Sequence, residues 1–419
     1  MFRFVHCADL HLDSPLRGLA AKDGAPIEAI RGATRKALEN LVRLCITEKV
    51  AFLVIAGDIY DGDWEDYSTG LFFYSQMVRL REHGIAVFLI RGNHDAASQI
   101  TRRLSLPDNV VEFPVDRPET AYVEACKVAI HGQGFASRAV TEDLSQRYPQ
   151  PVPGYFNIGL LHTCAEGREG HEAYAPCSVA NLIAKGYDYW ALGHIHKREI
   201  LAERPWIVFP GNLQGRHIRE TGSKGCTVVT VDGREVSLEH RALDVLRWCP
   251  CDVDVEGVET TEDALSRIEA ELWMLADEHA GYPLAVRVTL TGETILHETF
   301  MGDPEQLDSE VRALTLLVAG DRMWLEKVQI STFAPLSHTE SQLPEDAMSR
   351  LLLALRELTD DESFLQSFAT ELAGAQKHLR TYMQSPGALP ISSSEDVRAV
   401  ARDAEAILLS ALTKAGRRI

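Results

Sequence analysis

Asp9, His11, Asp58, Asn93, His162, His194 and His196 offer carboxylate, imidazole and one amide oxygen, with no thiolate among them. That donor set suits Mn, Fe, Zn or Mg and not a soft metal. Seven donors are too many for one tetrahedral ion. If a carboxylate such as Asp58 bridges, they fill two sites and leave positions open for water and substrate. Two ions roughly 3.5–4 Å apart are a recurrent device for cleaving phosphoryl esters, because they lower the pKa of a shared water and clamp the oxygens that gain charge during in-line attack. Singly the motifs are weak. Asp-x-His is common, His162 on an apolar run is more often a hydrogen-bonded core histidine than a ligand, and Gly-His-x-His, though a stronger signal, is more often a polar strand end. Order and placement give them weight together.

Each cluster lies at the carboxyl end of a short apolar run. Phe2–Val5 precedes Asp9-Leu-His11, Phe52–Ala56 precedes Gly57-Asp58-Ile-Tyr-Asp61, and Val87–Ile90 precedes Arg91-Gly92-Asn93-His94-Asp95. Ile158–Leu161 precedes His162, and Tyr189–Leu192 precedes Gly193-His194-Ile195-His196. Helical spacing separates the first three runs, at Ala37, Leu38, Leu41, Leu44 and Cys45, and less cleanly at Leu71, Tyr74 and Val78. Strand–helix–strand alternation predicts an α/β fold with a mostly buried sheet and helices on its faces. Ligands are then expected beyond the carboxyl ends of the strands, on one rim. The glycines before Asp58, Asn93 and His194 are expected to turn the backbone sharply out of the sheet.

Runs at Cys226–Val231 and Val236–His240, joined by Asp232-Gly233, predict a hairpin that closes a first domain over 1–245. A smaller α+β domain is expected over 250–335, with strands near Asp252–Val255, Leu284–Leu290 and Trp324–Ile330. Its helices would be Thr261–Glu278, opened by a Thr-x-x-Ala cap variant, and Gln306–Leu317. Residues 340–419 are expected to be helical, with a Pro/Gly/Ser-rich linker at Ser385–Ser394 and a last helix at Glu395–Leu412. The stripe Met348, Leu351, Leu352, Leu355 and Leu358 suits a partner helix or the chain's own core equally.

The formal charge of −19 looks at first like an argument against nucleic acid. It is unevenly placed: residues 1–250 hold 28 basic and 31 acidic side chains, residues 251–419 hold 14 and 30. The acidity lies outside the region that carries the chemistry, where two divalent ions would add about four positive charges. Basic residues sit near the motifs: Arg91, Arg102, Arg103, Arg138, Lys197, Arg198, Arg216 and Arg219. Each suits phosphate tracking or an ordinary solvated face; Arg91, Arg216 and Arg219 are the candidate DNA contacts. Eight irregularly spaced cysteines, no signal-peptide pattern and no long apolar run predict a cytoplasmic chain without membrane association. No Gly-x-Ser-x-Gly elbow or phosphate loop is present.

The set Asp9-x-His11, Gly57-Asp58-x-x-Asp61, Gly92-Asn93-His94-Asp95, His162 and Gly193-His194-x-His196 resembles the calcineurin-like metallophosphoesterases. Within them the chain resembles the DNA-repair exonuclease (SbcD-like) branch, closest to its YhaO-like subgroup. The stretches His6–Pro15 and Pro210–Gly225 carry that likeness. The resemblance implies a metallophosphoesterase β-sandwich flanked by helices, with a smaller α+β capping domain and a helical C-terminal region. It implies one metal held by Asp9, His11, Asp58 and His196, and another by Asp58, Asn93, His162 and His194, most commonly Mn²⁺. His94 would stabilise the transition state or protonate the leaving oxygen, and Asp61 would orient His94. Phosphoprotein phosphatases place Arg after the second Asp; Gly62 stands here and weighs against that activity. Cys7 and Asp13 stand where typical SbcD sequences carry Ser or Thr and Gly.

The expected function is DNA cleavage, as an exonuclease or endonuclease in DNA repair, by in-line attack of a metal-activated hydroxide on phosphorus. The resemblance implies DNA as partner, with an SbcC-like or YhaN-like ABC ATPase docked on the C-terminal helices, and admits a homodimer. The alternatives are a small-nucleotide phosphodiesterase or phosphatase, and a non-catalytic scaffold of the same fold. Retention of every candidate ligand weighs against the last.

Overall fold

The computed structural model describes residues 1–14, 32–61, 67–97, 105–165, 175–335, 359, 361–379, 393–398, 400 and 401. The chain divides into two compact units, Met1–Cys249 with Gly281–Ala285, and Pro250–Ala280 with Val286–Ile419.

The first unit is built on two six-stranded sheets. In the first, strands β1 (Phe2–Cys7), β2 (Phe52–Ala56), β3 (Ala86–Ile90) and β4 (Val110–Glu112) run parallel, with Val5 beside Leu53 and Leu53 beside Val87. The expected hairpin, β11 (Gly225–Asp232) and β12 (Glu235–Ala242), closes the antiparallel edge on β1. The order is β12-β11-β1-β2-β3-β4. In the second sheet the core strands β6 (Val128–Gly132), β7 (Phe156–His162), β8 (Tyr189–Gly193) and β10 (Trp206–Phe209) are parallel, and β5 (Glu119–Val123) and β9 (Glu199–Glu203) add antiparallel edges. Its order is β5-β6-β7-β8-β10-β9.

Strand alternation explains why two faces of one run are both buried. Phe4, Phe52, Val54, Ala56, Phe88 and Ile90 face the second sheet and meet Ile130, Ile158, Leu160, Tyr189 and Ala191 there. Phe4 stacks on Phe52 with ring centroids 5.0 Å apart. The alternate residues Val5, Leu53, Ile55, Val87 and Leu89 face outward, onto α1 (Ala33–Thr47) and α2 (Ser68–Glu82), which present Ala37, Leu38, Leu41, Phe73 and Met77. On the far side of the second sheet, Trp190, Leu192, Ile207 and Phe209 are covered by Tyr148, Phe135 and Leu182. Leu182 belongs to the short helix α4 (Val179–Ala184); α3 (Asn93–Ala97) precedes it in the chain. The result is the expected mixed α/β fold, with two sheets where strand–helix alternation alone predicts one.

The second unit has a three-stranded sheet, β13 (Arg247–Asp254), β14 (Leu284–Glu293) and β15 (Met323–Phe333), in that order. Helix α5 (Thr261–Glu278) buries Ala264, Ile268 and Leu272. Its cap is Thr260, one residue before the expected position, whose side chain accepts from the Asp263 backbone N–H. Helix α6 (His297–Gly302) leads into α7 (Pro304–Ala319), which has Pro at its start and Asp303 as cap, and buries Leu307, Val311, Thr315 and Val318. Farther on, α8 (Glu362–Leu379) places Leu365 and Ala369 against Val397, and Arg398 pairs with Glu362 at 2.8 Å. The stripe at Met348–Leu358 and most of the expected linker and last helix lie outside the described residues. Among the described residues no helix is long and apolar enough to cross a membrane, and no cysteine is paired.

Candidate metal centre

The seven predicted donors converge. Asp9 and His11 follow β1, Asp58 follows β2, Asn93 opens α3, His162 ends β7, and His194 and His196 follow β8. They come from the carboxyl ends of parallel strands in both sheets, whose β2 and β7–β8 edges meet: His162 Nδ1 lies 2.8 Å from the Ala56 carbonyl.

The three glycines have different reasons. Gly57 has φ +91°, a turn that favours glycine. Gly92 and Gly193 lack positive φ and are required by close approach instead. A Cβ on Gly92 would sit 2.2 Å from Asp58 Oδ1, and one on Gly193 would sit 1.9 Å from the Ala56 carbonyl oxygen. Four of the seven predicted donors have positive φ: Asp9 (φ 53°), His11 (43°), Asp58 (51°) and His194 (100°). Such strain costs of order 1–3 kcal/mol per residue and persists only where the surroundings over-determine it. Here a ladder does so, with Asp9 N–H donating to Gly57 O, His11 N–H to Asp58 O and Leu12 N–H to Ile59 O. The fully buried Asp95 carboxylate adds to it by accepting the backbone N–H groups of Ile59, Tyr60 and Gly92.

Three overlapping groups each place their ligand atoms within 4.8 Å of one another: Asp9/His11/His196, His11/Asp58/His94 and Asp58/His162/His194. Asp58 and His11 are each common to two of them, and of these two only the carboxylate has two oxygens with which it could serve two ions. The outer nitrogens of His162 and His196 are fixed by hydrogen bonds, and that of His11 lies beside a carboxylate, so that lone pairs face inward. His162 Nδ1–H donates to Ala56 O, so Nε2 faces Asn93 Oδ1 at 3.0 Å, acceptor to acceptor. His196 Nδ1–H donates to Glu220 Oε1 at 2.7 Å, and His11 Nδ1 faces Asp61 Oδ1 at 3.4 Å. The Nε2 atoms of His11 and His196 then oppose each other at 3.1 Å. Facing lone pairs at these separations repel unless a cation lies between them, so the donor set fits metal. Electrostatics agrees. Burial, then the Asp58 charge, pushes the Asp9 carboxyl well above its ordinary range. Burial lowers His11, helped by the Arg216 charge, and also His162, each to about 3, keeping both imidazoles neutral and able to ligate.

His94 is held differently. Its Nδ1 lies 3.0 Å from Asp61 Oδ1, and that hydrogen bond raises its pKa against the opposing effect of burial. Asp61 also accepts from Ser14 Oγ at 2.7 Å. Burial would raise the Asp61 carboxyl, but the hydrogen bonds from His11, His94 and Ser14 outweigh it and hold it well below the carboxylate range. Although His94 falls in a geometric group with His11 and Asp58, its Nδ1 is engaged by Asp61.

Glu220 is absent from the sequence reading. Its Oε1 takes His196 Nδ1–H, and its Oε2 accepts the Arg216 backbone N–H at 2.7 Å and Asn212 Nδ2 at 2.9 Å. Only the pattern of the Pro210–Gly225 loop could have pointed to it, since 24 residues separate it from the histidine it holds. The predicted basic contacts divide. Arg216 is turned inward, with 13% of its side chain exposed, Nη2 3.2 Å from Glu220 Oε1 and Nη1 3.6 Å from Asp61 Oδ1. Arg91 is ion-paired with Glu112. Arg138, Lys197 and Arg219 are not buried, and Arg198 is half-buried. Arg102 and Arg103 lie outside the described residues.

Residues 2–198 match the family described as calcineurin-like phosphoesterase, and residues 248–333 match the middle domain of metallophosphoesterase YhaO. The chain is 38% identical over 294 residues to the metallophosphoesterase YhaO of Bacillus subtilis, spanning 69% of this chain and 71% of that protein. It is 27% identical over 214 residues to the DNA double-strand break repair protein Mre11 of Methanopyrus kandleri, covering 46% and 44% of the two chains. Similarity to the SbcD component of the Escherichia coli nuclease SbcCD is lower, 23% over 412 residues, but covers 86% of this chain and 94% of that one. The family match agrees with the geometry: it covers all seven donors and the strands that deliver them, and the donors are clustered as divalent ions require. The chain belongs to the calcineurin-like metallophosphoesterase family and is a metal-dependent phosphoesterase.

Proposed function

We propose that this phosphoesterase is a two-metal phosphodiesterase that cleaves DNA. The observation carrying the reading is the pairing of His94 with Asp61 at 3.0 Å beside the seven-donor cluster. Asp9, His11, Asp58 and His196 would hold one ion and Asp58, Asn93, His162 and His194 the other, with Mn²⁺ the expected metal. When bound, the ions supply Lewis-acid charge beside the phosphoryl oxygens and lower the pKa of water in the site. The protein's own part is positional. Asp9 is anchored by the His194 backbone N–H at 3.1 Å, and Asp58 by the His94 backbone N–H at 3.0 Å, which fixes both carboxylates before substrate arrives. His94, a third exposed and with Asp61 on Nδ1, keeps Nε2 for the leaving 3′-oxygen, to which it gives a proton.

The DNA assignment is supported by relatives named for a nuclease and for DNA double-strand break repair. Lys197 and Arg219, close in sequence to His196 and Glu220, supply positive charge for the phosphate backbone. In this reading residues 1–245 form the catalytic domain, 250–335 cap it and select substrate geometry, and 340–419 dock an SbcC-like or YhaN-like ABC ATPase. The test incubates purified protein and Mn²⁺ with end-labelled single- and double-stranded DNA, beside a small aromatic phosphodiester and a chelator control. DNA cleavage abolished by chelator is expected. Turnover of the small diester with intact DNA would instead assign a small-nucleotide substrate.

A further inference from the structure

We propose that Arg216 and Glu220 are positioning residues of the metal centre, and that Arg216 acts there and not as a DNA contact. The inference rests on the two-metal reading above and concerns what aims its histidines. The loop that carries both residues is organised around one buried carboxylate. Glu220 is 6% exposed, yet every direction around it is filled by a donor: His196 Nδ1–H at 2.7 Å, Asn212 Nδ2 at 2.9 Å, Arg216 N–H at 2.7 Å and Arg216 Nη2 at 3.2 Å. A buried carboxylate left without such partners is strongly destabilising, so the donors around Glu220 are needed to keep its charge there. The same guanidinium reaches across to Asp61 Oδ1 at 3.6 Å and Ser14 Oγ at 3.5 Å.

His94, Asp61, Arg216, Glu220 and His196 thus form an alternating line of donors and acceptors. Its two ends are the side chain that gives the proton and one that binds metal. Glu220 sets the tautomer of His196, so that Nε2 and not Nδ1 faces His11. Arg216 ties that carboxylate to the one that faces His11 and holds His94, so the three rings are aimed as a unit. A guanidinium held between two carboxylates, with 13% of its side chain exposed, is directed inward and not toward a DNA backbone.

The test is calorimetric titration of Mn²⁺ into wild type, Glu220→Gln, Arg216→Met, Arg216→Lys and the Glu220→Gln/Arg216→Met double variant. Metal-free melting verifies that each is folded; Glu220→Gln is nearly isosteric, and Arg216→Lys keeps the charge but not the fork of donors. Loss of a carboxylate that orients a ligand histidine typically costs 10–100-fold in metal affinity. One of two binding steps should weaken by about that factor in Glu220→Gln and Arg216→Met, while the other changes less than about twofold. Arg216→Lys should recover part of the loss. The double variant should lose less than the product of the two single losses, because both act in part through His196. At saturating Mn²⁺ the KM for DNA should be unchanged. Wild-type metal affinity in Arg216→Met, with a raised KM and a salt slope reduced by about one, would make Arg216 a phosphate contact and overturn the proposal. Absence of any Mn²⁺ binding by wild type would instead overturn the two-metal reading beneath it.

Discussion

Replacing His94 with Gln separates proton donation from metal binding. The substitution removes the ring whose Nδ1 faces Asp61 at 3.0 Å, but it keeps the His94 backbone N–H that anchors Asp58 at 3.0 Å. None of the seven proposed donors is touched. Removing a positioned general acid typically costs 10²–10⁴-fold, which is about 2.7–5.4 kcal/mol of transition-state stabilisation. The full loss is expected only where the leaving oxygen needs a proton. DNA expels a 3′-alkoxide and should show it; an aryl diester that expels a stable phenolate should lose about tenfold or less. The assay measures kcat on both substrates at saturating Mn²⁺, with the metal affinity of each protein measured in parallel. Equal losses on the two substrates would refute proton donation. A collapse of Mn²⁺ affinity would show that His94 is a ligand, completing the group it forms with His11 and Asp58.

Three further outcomes follow from the geometry. Mn²⁺ at one hundred times its dissociation constant should stabilise the protein by about 2.7 kcal/mol and raise its melting temperature by roughly 5–10 °C over the chelated form, because it binds the folded chain and not the unfolded one; an unchanged melt would contradict this. Gly193→Ala should destabilise by about 3 kcal/mol or more in denaturant titration, since its Cβ would meet the rigid Ala56 carbonyl at 1.9 Å. His6 is wholly buried between the Tyr189 hydroxyl and the Leu192 carbonyl, and burial lowers it to about 3. The unfolded chain therefore takes up a proton near pH 6.5 that the folded chain refuses. The His6 contribution is intact above about pH 6.5 and falls away toward pH 3, by up to about 5 kcal/mol. A His6→Gln variant should have a shallower acid limb in melting temperature against pH, and an identical limb would count against this account.

The candidate donor cluster was legible because each donor ends or closely follows a continuous apolar run, and a strand buried on both faces has to be such a run. What the runs do not encode is which sheet each belongs to. Phe52–Ala56 and Ile158–Leu161 look alike in sequence, yet they lie in different sheets. β4, β5, β6, β9 and β10 escaped notice because they are three to five residues long; β4, β5 and β9 are only half-buried, without clear alternation, and β6, though wholly buried, is followed by no candidate donor. The roles of Gly92 and Gly193 were invisible for a related reason: close approach is a tertiary fact, whereas a turn is a local one. Arg216 shows the limit for charges, since a basic residue near a phosphoesterase motif does not reveal whether its partner is a phosphate or an internal carboxylate. Asp13 is a clearer case. It stands where typical SbcD sequences carry Gly and keeps φ at 61°, held by a bidentate pair with Arg35 and a hydrogen bond from Thr69.

The central claim is a pair of divalent ions sharing Asp58, and metal stoichiometry tests it most directly. Calorimetric titration of metal-free wild type with Mn²⁺ should give two ions per chain, and Asp58→Asn, which removes the bridging charge, should bind one or none tightly. A single ion in wild type, or two ions retained with unchanged affinity in Asp58→Asn, would contradict the account.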